Sequence, residues 1–222
     1  MARNILVWLL SFSAGFVDTA GFLGLQGLFT AHVTGNFVTL GAALVFGTQG
    51  IIAKLIALPE FLAVIVLVRL IGTGLTTRRI VTSRLVLAAE VAFLLAFFLL
   101  AVRFGPFPDS DSPMALVTGF TGVAAMAIQN AIQRIHYSGF PPTTIMTGNT
   151  TQAALDAVDL INGATRKQSA AIRARLASIL SNIFYFAVGC AAAAGLYLWI
   201  GFWSLAVPVV AVAIAIVLHK EK

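Results

Sequence analysis

The sequence predicts an all-α integral membrane protein with about six transmembrane helices and two short re-entrant or half helices, arranged as a 3+3 inverted internal repeat. Three observations favour this class: the composition, a series of long apolar runs, and a Thr-Gly-Asn motif that occurs twice. Of the 222 residues, 59% are hydrophobic and only 10% are charged, whereas soluble domains carry roughly 25% charged residues. We therefore expect residues 1–222 to form a single membrane domain.

Charge and cysteine content narrow the class. The formal net charge of +6 would be compatible with a nucleic-acid partner, but the basic residues lie in short clusters between apolar runs, as membrane proteins use them to fix orientation. We expect no nucleic-acid partner. A single cysteine, Cys190, excludes an intrachain disulfide and a cysteine-cluster metal site, and no metal or other cofactor is predicted. The expected partners are the lipid bilayer, a small-molecule solute and a second copy of the chain in a homodimer.

Apolar runs of membrane-spanning length, about 20 residues, divide the chain. They cover residues 5–28, 51–75, 85–102, 114–135, 179–199 and 202–218. A hydrophilic turn at 103–113 separates the third run from the fourth. We place the two repeat halves at 1–103 and 113–222, so that each half contains three predicted spans.

The Thr-Gly-Asn motif relates the two halves. Its copies are Thr34, Gly35 and Asn36 and, 113 positions later, Thr147, Gly148 and Asn149. Each copy follows a span with polar residues in its second half, Asp18 in one case and Gln129 with Asn130 in the other. Each copy also belongs to a segment, 36–46 or 143–160, that is too short or too polar for an ordinary span. We interpret this pattern as an internal duplication.

Basic clusters favour re-entrant motif segments over crossing ones. With eight crossings, one of the basic stretches at 78–84 and 166–175 would lie outside, whichever way the chain begins. If both motif segments instead return on the side they entered, every basic cluster and both termini lie in the cytoplasm, as the positive-inside rule requires. Three spans per half then insert the halves in opposite directions, as in many transporters.

The residue types of the motif suit a helix start and a binding site. Thr and Asn cap helices through their side-chain oxygens, and Gly permits close approach of the backbone. The motifs could simply cap two packed half helices. Alternatively, two capped N-termini meet at one site, where their positive dipole ends favour a small polar or anionic solute, or exclude cations from a pore. We assign to this substrate path the six motif residues with Asp18, Gln129 and Asn130.

Ionisable residues inside spans are further candidates. Asp18 could bind a coupling proton or cation, or pair with Arg69 and hold two helices in register. His32 could relay protons or serve only as a hydrogen-bonding group. Glu60, Arg69 and Glu90 complete the secondary candidates. Of these, Glu60 suits the start of a helix and Arg69 could reach the membrane surface along its aliphatic stem.

At these residues the chain resembles the YoaK-like family. The resemblance rests, in order, on Ala14-Gly15-Phe16-Val17-Asp18, Thr34-Gly35-Asn36 with Leu40-Gly41, Gln129-Asn130-Ala131, Thr143-Thr144 and Thr147-Gly148-Asn149. The members are bacterial inner-membrane proteins of about this length, grouped as a domain of unknown function. The resemblance covers essentially the whole chain and implies a multi-pass protein of the bacterial plasma (inner) membrane with about six helices. It assigns no role to any residue.

A transporter or channel for a small solute is the leading functional hypothesis. One alternative is a non-catalytic assembly or regulatory protein, because small residues are spaced as in packed membrane helices. The other is a membrane-embedded enzyme that uses Asp18, Glu60 or His32. The sequence contains no nucleophile elbow, metal-ligand cluster or phosphate-binding loop, so we do not expect an enzyme.

Overall fold

The chain forms eight α-helices in a computed structural model that describes residues 2–76, 83–163 and 165–218. The helices are α1 (Ala2–Gly24), α2 (Gly35–Phe46), α3 (Ile51–Thr76), α4 (Ser83–Phe104), α5 (Pro113–His136), α6 (Met146–Ile161), α7 (Arg166–Ile200) and α8 (Ala206–Leu218). A 3₁₀ turn at Gly201–Leu205 joins α7 to α8. These ranges contain no β-strand, which confirms the predicted all-α class. The basic clusters at 78–79 and 219–222 lie outside the described residues.

Five helical stretches among the described residues have the length and apolar composition needed to cross a membrane. They are Asn4–Gly24, Ile51–Gly72, Ser83–Phe104, Pro113–His136 and Lys167–Leu218. The last has 52 residues, about 78 Å if straight, whereas the hydrocarbon core is about 30 Å thick. It is interrupted at Gly201, whose φ of 56° is readily adopted only by glycine. The protein is therefore a multi-pass membrane protein.

The chain reverses at this interruption. Phe202 of the 3₁₀ turn lies against Gly24 at the end of α1 and against Gly105 just after α4. From there α8 packs along both α1 and α4, which it can do only by running back beside them. The predicted spans 179–199 and 202–218 thus correspond to α7 and to the 3₁₀ turn with α8.

The turn 105–112 marks one end of the bundle, which we call the acidic side; the opposite end is the basic side. α1 ends on the acidic side, because Gln26 Nε2 donates to the carbonyl of Pro108 (3.0 Å). α3 begins on the same side, because the backbone N–H of Ala53 donates to Asp111 Oδ1 (3.0 Å). The chain therefore enters the bundle after α1 and returns through α2 to the side it left.

The second motif segment behaves in the same way on the basic side. α5 ends there, and the following chain turns back until Thr143 meets Gln129 of α5. α6 then runs outward again, and Asp156 of α6 pairs with Arg175 near the start of α7. Each motif segment thus enters and leaves on its own side, and the two sides are opposite.

α1 and α5 are the central helices of the bundle. In their apolar stretches 67% and 72% of the residues are buried, compared with 22% in α3. α1 packs mainly against α7 and α8, whereas α5 packs mainly against α3 and α4. Each central helix is therefore enclosed by outer helices from the other half of the chain. Because protein rather than lipid surrounds α1 and α5, they can carry the polar side chains of the sequence.

α1 and α7 run parallel and approach closely. Trp8 stacks on Tyr185, with ring centroids 5.2 Å apart, and further along Gly24 lies beside Tyr197. Between these contacts, Gly15 faces the carbonyl of Phe186 and Gly189 faces the carbonyl of Phe12, so close that an added Cβ would collide. Small residues allow such backbone approach in membranes. Cys190 also packs against Gly15, at a helix contact.

Candidate functional site

The first loop, residues 25–34, is folded around the carboxylate of Asp18. Oδ1 of this buried side chain accepts the backbone N–H groups of Thr30 (2.8 Å), Ala31 (2.7 Å) and His32 (3.3 Å). Non-helical backbone at membrane depth must satisfy its N–H groups within the protein. Asp18 lies six residues before the end of α1, about 9 Å inside it, and it supplies acceptors for the tip of the loop.

The other carboxylate oxygen of Asp18 binds His32. Nδ1 of His32 lies 2.6 Å from Oδ2, and the imidazole meets the ring of Phe186 edge-on at 5.6 Å. A protonated imidazole would form an ion pair here, held between two helices and a loop. The predicted pairing of Asp18 with Arg69 is wrong, since the carboxylate is occupied by the first loop and Arg69 lies on the exposed surface of α3.

Asn36 braces the first loop rather than capping α2. Its Oδ1 accepts the backbone N–H of Phe29 (2.8 Å), and its Nδ2 donates to the Phe29 carbonyl (2.9 Å). Thr34 occupies the N-cap position but makes no side-chain cap bond. The predicted capping of this half helix by Thr and Asn is therefore wrong. Both Asn36 atoms are used within the protein, and the residue is fully buried.

The second loop, residues 137–145, is held by two amides of α5. Gln129 Nε2 donates to Thr143 Oγ1 (2.9 Å) and also to the carbonyl of Leu10 in α1 (2.9 Å). Asn130 Nδ2 donates to Thr144 Oγ1 (2.6 Å). These side chains hold the second loop as Asp18 holds the first, with neutral amides in place of a carboxylate.

Asn149 makes the bond that corresponds to that of Asn36. Its Nδ2 donates to the carbonyl of Pro142 (2.8 Å), which is seven residues earlier, as Phe29 is seven residues before Asn36. α6 begins at Met146 with Ile145 at its N-cap. The motif 147–149 therefore lies within the first turn, and the predicted capping is wrong here as well.

The two loops are held at different depths along α1. The first loop is bound by Asp18 of α1. The second loop is bound by Gln129, which also donates to the carbonyl of Leu10 in α1. Eight residues separate these positions, or about 12 Å of helix. In addition α2 packs mainly against α3, and α6 mainly against α7. The prediction that the two Thr-Gly-Asn ends meet at one site is therefore wrong. Asp18 binds the first loop, whereas Gln129 and Asn130 bind the second. Thr34 and Thr147 are both exposed.

Two clefts border the contact between α1 and α7, one beside each loop. The first cleft, of about 510 Å³, adjoins the first loop and is lined in part by Asp18, His32, Thr34, Phe186 and Cys190. The second cleft, of about 520 Å³, adjoins the second loop and is lined in part by Asn4, Trp8, Phe140, Arg175 and Asn182. Between them lies the close contact of α1 with α7. Asp18 and His32 therefore line the first cleft, and Arg175 lines the second.

A third cleft of about 420 Å³ lies on the other side of the second loop. It is lined in part by Arg134, Gly148, Asn149, Gln152 and Arg175. Two arginines thus border the second loop. The secondary candidates Glu60 and Glu90 line none of these three clefts; Glu60 is half-buried on α3 and Glu90 is wholly buried on α4.

Arg175 and Asp156 connect α6 to α7 beside these clefts. Arg175 Nε donates to Asp156 Oδ2 (2.8 Å), and Gln152 Nε2 donates to Asp156 Oδ1 (2.8 Å). The hydrogen bonds from Arg175 and then from Gln152 hold the pKa of Asp156 below its usual value, against the opposing effect of burial. Sequence reasoning did not find this partner, because 19 residues separate the two side chains and no periodic pattern connects them.

Comparisons with known proteins agree with this architecture. Residues 6–218 match the model of a family described as "Protein of unknown function (DUF1275)". The chain is also 39% identical over 98 residues to the UPF0700 transmembrane protein YoaK of Bacillus subtilis (strain 168). That alignment covers 42% of this chain and 44% of the relative. No solved structure matches the chain significantly. Because the family model covers nearly the whole sequence, the chain belongs to the DUF1275 family of proteins of unknown function.

Proposed function

We propose that this protein is a transporter or channel for a small polar or anionic solute, and that the path follows the contact between α1 and α7. The observation that carries the proposal is the pair of clefts along this contact, each bordered by one re-entrant loop. Irregular backbone at membrane depth is tolerated where it is buried in protein or lines an aqueous cavity. Loops that line a path satisfy this condition.

The path is closed between the clefts in the present conformation. The closure consists of the stacked pair Trp8–Tyr185 and of the close approach of Gly15 to Phe186. Because α1 and α7 come from different halves of the chain, a small movement of one half against the other would separate these residues. The solute would then pass from one cleft to the other.

The charges along the path favour a polar or anionic solute. Arg175 lines the second and third clefts, and Arg134 lines the third. At the first cleft the imidazole of His32 offers a further hydrogen-bond donor when protonated, while its Nδ1 faces Asp18. Guanidinium groups recognise carboxylates and phosphates with paired hydrogen bonds. Asp156 already accepts from Nε and Nη2 of Arg175, so we assign solute recognition to Arg134. We propose no catalytic chemistry for these residues.

We further propose that the two halves form an inverted repeat in the inner membrane, with the basic side and both termini in the cytoplasm. The parallel pairs of bonds in the two loops support the repeat. The positive-inside rule supports the orientation. Single cysteines at Thr48, Pro108 and Gln168, all exposed positions, would be introduced on a Cys190→Ser background. An impermeant thiol reagent should label the first two in intact cells and Gln168→Cys only after lysis; labelling of Gln168→Cys in intact cells would overturn the orientation.

Transport itself is tested in proteoliposomes. Purified protein would be reconstituted and the uptake of phosphate, acetate, glycine and glycerol compared with that of empty vesicles. We expect at least one of these solutes to enter faster with protein. Equal rates for all four would overturn the transport proposal for this class of solutes.

The path is tested by cross-linking its closed part. A Trp8→Cys, Tyr185→Cys pair on the Cys190→Ser background would be joined by a short bismaleimide, and flux should fall to the level of empty vesicles. A matched pair, Tyr197→Cys with Phe202→Cys, joins positions whose rings lie 5.4 Å apart and which both belong to the second half. Cross-linking this control should leave flux unchanged. If the Trp8–Tyr185 cross-link has no effect, the path lies elsewhere.

A further inference from the structure

Glu90 is a buried carboxyl group without a partner. It lies on α4 with none of its surface exposed, and neither of its oxygens has a hydrogen-bond partner among the described residues. An ionised carboxylate is very costly to bury unless it is paired and hydrogen-bonded. A fully enclosed position of this kind is compatible with the neutral acid.

Within the part of the chain that the structure describes, no charged residue of the elements packed against α4 lies beside Glu90. α4 packs mainly against α5, α8 and the 3₁₀ turn. α8 and the 3₁₀ turn contain no ionisable residue, and the ionisable residues of α5, Arg134 and His136, lie in its last turn. The other ionisable residues of α4, Arg84 and Arg103, stand near its two ends.

Glu90 belongs to a layer of polar side chains in the bundle interior. Phe97 of α4 faces Gly122 of α5, and the two helices are antiparallel because only the turn 105–112 joins them. Glu90, seven residues before Phe97 in α4, and Gln129, seven residues after Gly122 in α5, therefore stand at the same depth. Oε1 of Gln129 is also buried without a partner among the described residues.

α1 completes this layer. Gln129 Nε2 binds the carbonyl of Leu10, so the neighbouring Ser11 and Ser13 lie near this depth. Both hydroxyl oxygens are fully buried and have no partner among the described residues. We call Ser11, Ser13, Glu90 and Gln129 the polar layer. Three helices, α1, α4 and α5, thus contribute side-chain oxygen atoms that have no hydrogen-bond partner among the described residues and lie near one level.

We propose that Glu90 is a proton-binding site: a carboxylic acid held neutral in the polar layer, which loses its proton to water when the surrounding helices separate. The O–H bond of the carboxyl group breaks and the proton passes to a water molecule, leaving the carboxylate. Before the helices close again, the carboxylate takes up a proton from water and the O–H bond re-forms. In the closed bundle the neutral acid is favoured, because no cation among the described residues of the packed elements balances a carboxylate there. If the transport function proposed above holds, Glu90 couples solute movement to protons.

The protonation state is measured directly by infrared spectroscopy of the protein in lipid. Because Oε2 of Glu60 is also buried without a partner among the described residues, all variants carry Glu60→Gln. On this background at neutral pH we expect a carbonyl stretching band of a protonated carboxylic acid, and its loss in Glu90→Gln. Asp156→Asn is the matched control, since Asp156 is paired with Arg175 and should contribute no such band at this pH. Glu90→Asp keeps the acid and should shift the band without removing it. A band at neutral pH that is unchanged in a folded Glu90→Gln protein would overturn the proposal.

Coupling is measured separately in proteoliposomes with an imposed pH gradient. Flux through the wild-type protein should accelerate with the gradient, and flux through Glu90→Gln should not respond to it. A response in Glu90→Gln equal to that of wild type would overturn the coupling role. If wild-type protein moves none of the four solutes, the proposed function fails, whereas the infrared result on Glu90 still decides whether it binds a proton.

Discussion

Asn36 and Asn149, 113 positions apart, each donate a side-chain hydrogen bond to the carbonyl seven residues before them. Asn36 binds Phe29 at 2.9 Å and Asn149 binds Pro142 at 2.8 Å. The repeated motif is therefore a brace that closes a loop onto its own half helix. A brace of this kind explains why the asparagine recurs at the same place in both halves, independently of any solute.

Replacement of either asparagine should destabilise the protein. Asn36→Ala leaves the N–H and the carbonyl of Phe29 without partners, and each buried unsatisfied group costs about 1–3 kcal/mol. Asn149→Ala frees one carbonyl and should cost less. Thermal unfolding in detergent provides the measurement. The matched control is Asn162→Ala, an exposed asparagine whose replacement should leave the midpoint nearly unchanged; equal losses in all three variants would contradict the brace.

Asp18 should protect the backbone of the first loop. Asp18→Ala removes the acceptor of the N–H groups of Thr30, Ala31 and His32, so hydrogen exchange at these amides should accelerate strongly. Asp18→Asn keeps a carbonyl oxygen at the same place and should show a smaller increase. Exchange in the second loop serves as the internal control, because Gln129 and Asn130 hold it. Unchanged protection in Asp18→Ala would refute this role.

The crossing of α1 and α7 should tolerate no added methyl group. Gly189→Ala would push a Cβ into the carbonyl of Phe12, and overpacking of this kind typically costs about 1–3 kcal/mol. Gly195→Ala, six residues along the same helix, meets nothing within 4 Å and should be neutral or slightly stabilising because alanine favours helix. The difference between the two melting midpoints measures the effect. A Gly189→Ala protein as stable as Gly195→Ala would disprove the close crossing.

Stability should fall in acid through Asp156. Arg175 holds the pKa of Asp156 below its usual value, so the folded state favours the ionised carboxylate. The stabilising contribution is complete well above the ordinary aspartate pKa of about 3.9 and disappears as the pH falls through the lower pKa of the folded state. Unfolding midpoints recorded between about pH 7 and about pH 3 should therefore drop less steeply in Asp156→Asn than in wild type. Parallel curves would contradict this linkage.

The sequence predicts the architecture well because lipid imposes strong rules. Apolar length and the positions of basic residues decide which segments cross, and both motif segments do return to the side they enter. α4 ends at Phe104 and α5 begins at Pro113, on either side of the hydrophilic turn, and the division of the chain into two repeat halves stays a prediction. The inverted repeat, in which the two halves insert into the membrane in opposite directions, stays a prediction.

The site could be predicted only in part. Asp18, Gln129 and Asn130 were identifiable as polar residues in spans, but their partners depend on how deeply each loop folds back. The prediction that the motif asparagines cap their helices is wrong because a cap and a seven-residue brace use the same residue type in the same short string. Glu90 gave no signal beyond its charge, because its isolation results from packing between α4, α5 and α8.

The exchange of partners between the halves has a consequence for biosynthesis. α1 leaves the ribosome before α7, against which it packs and which follows about 140 residues later. During that interval the nascent α1 carries Ser11 and Ser13 into the membrane before their final surroundings exist. Assembly of the bundle is therefore completed only after translation of α7 and α8, and a chain truncated after α4 exposes the polar side chains of α1 to cellular quality control.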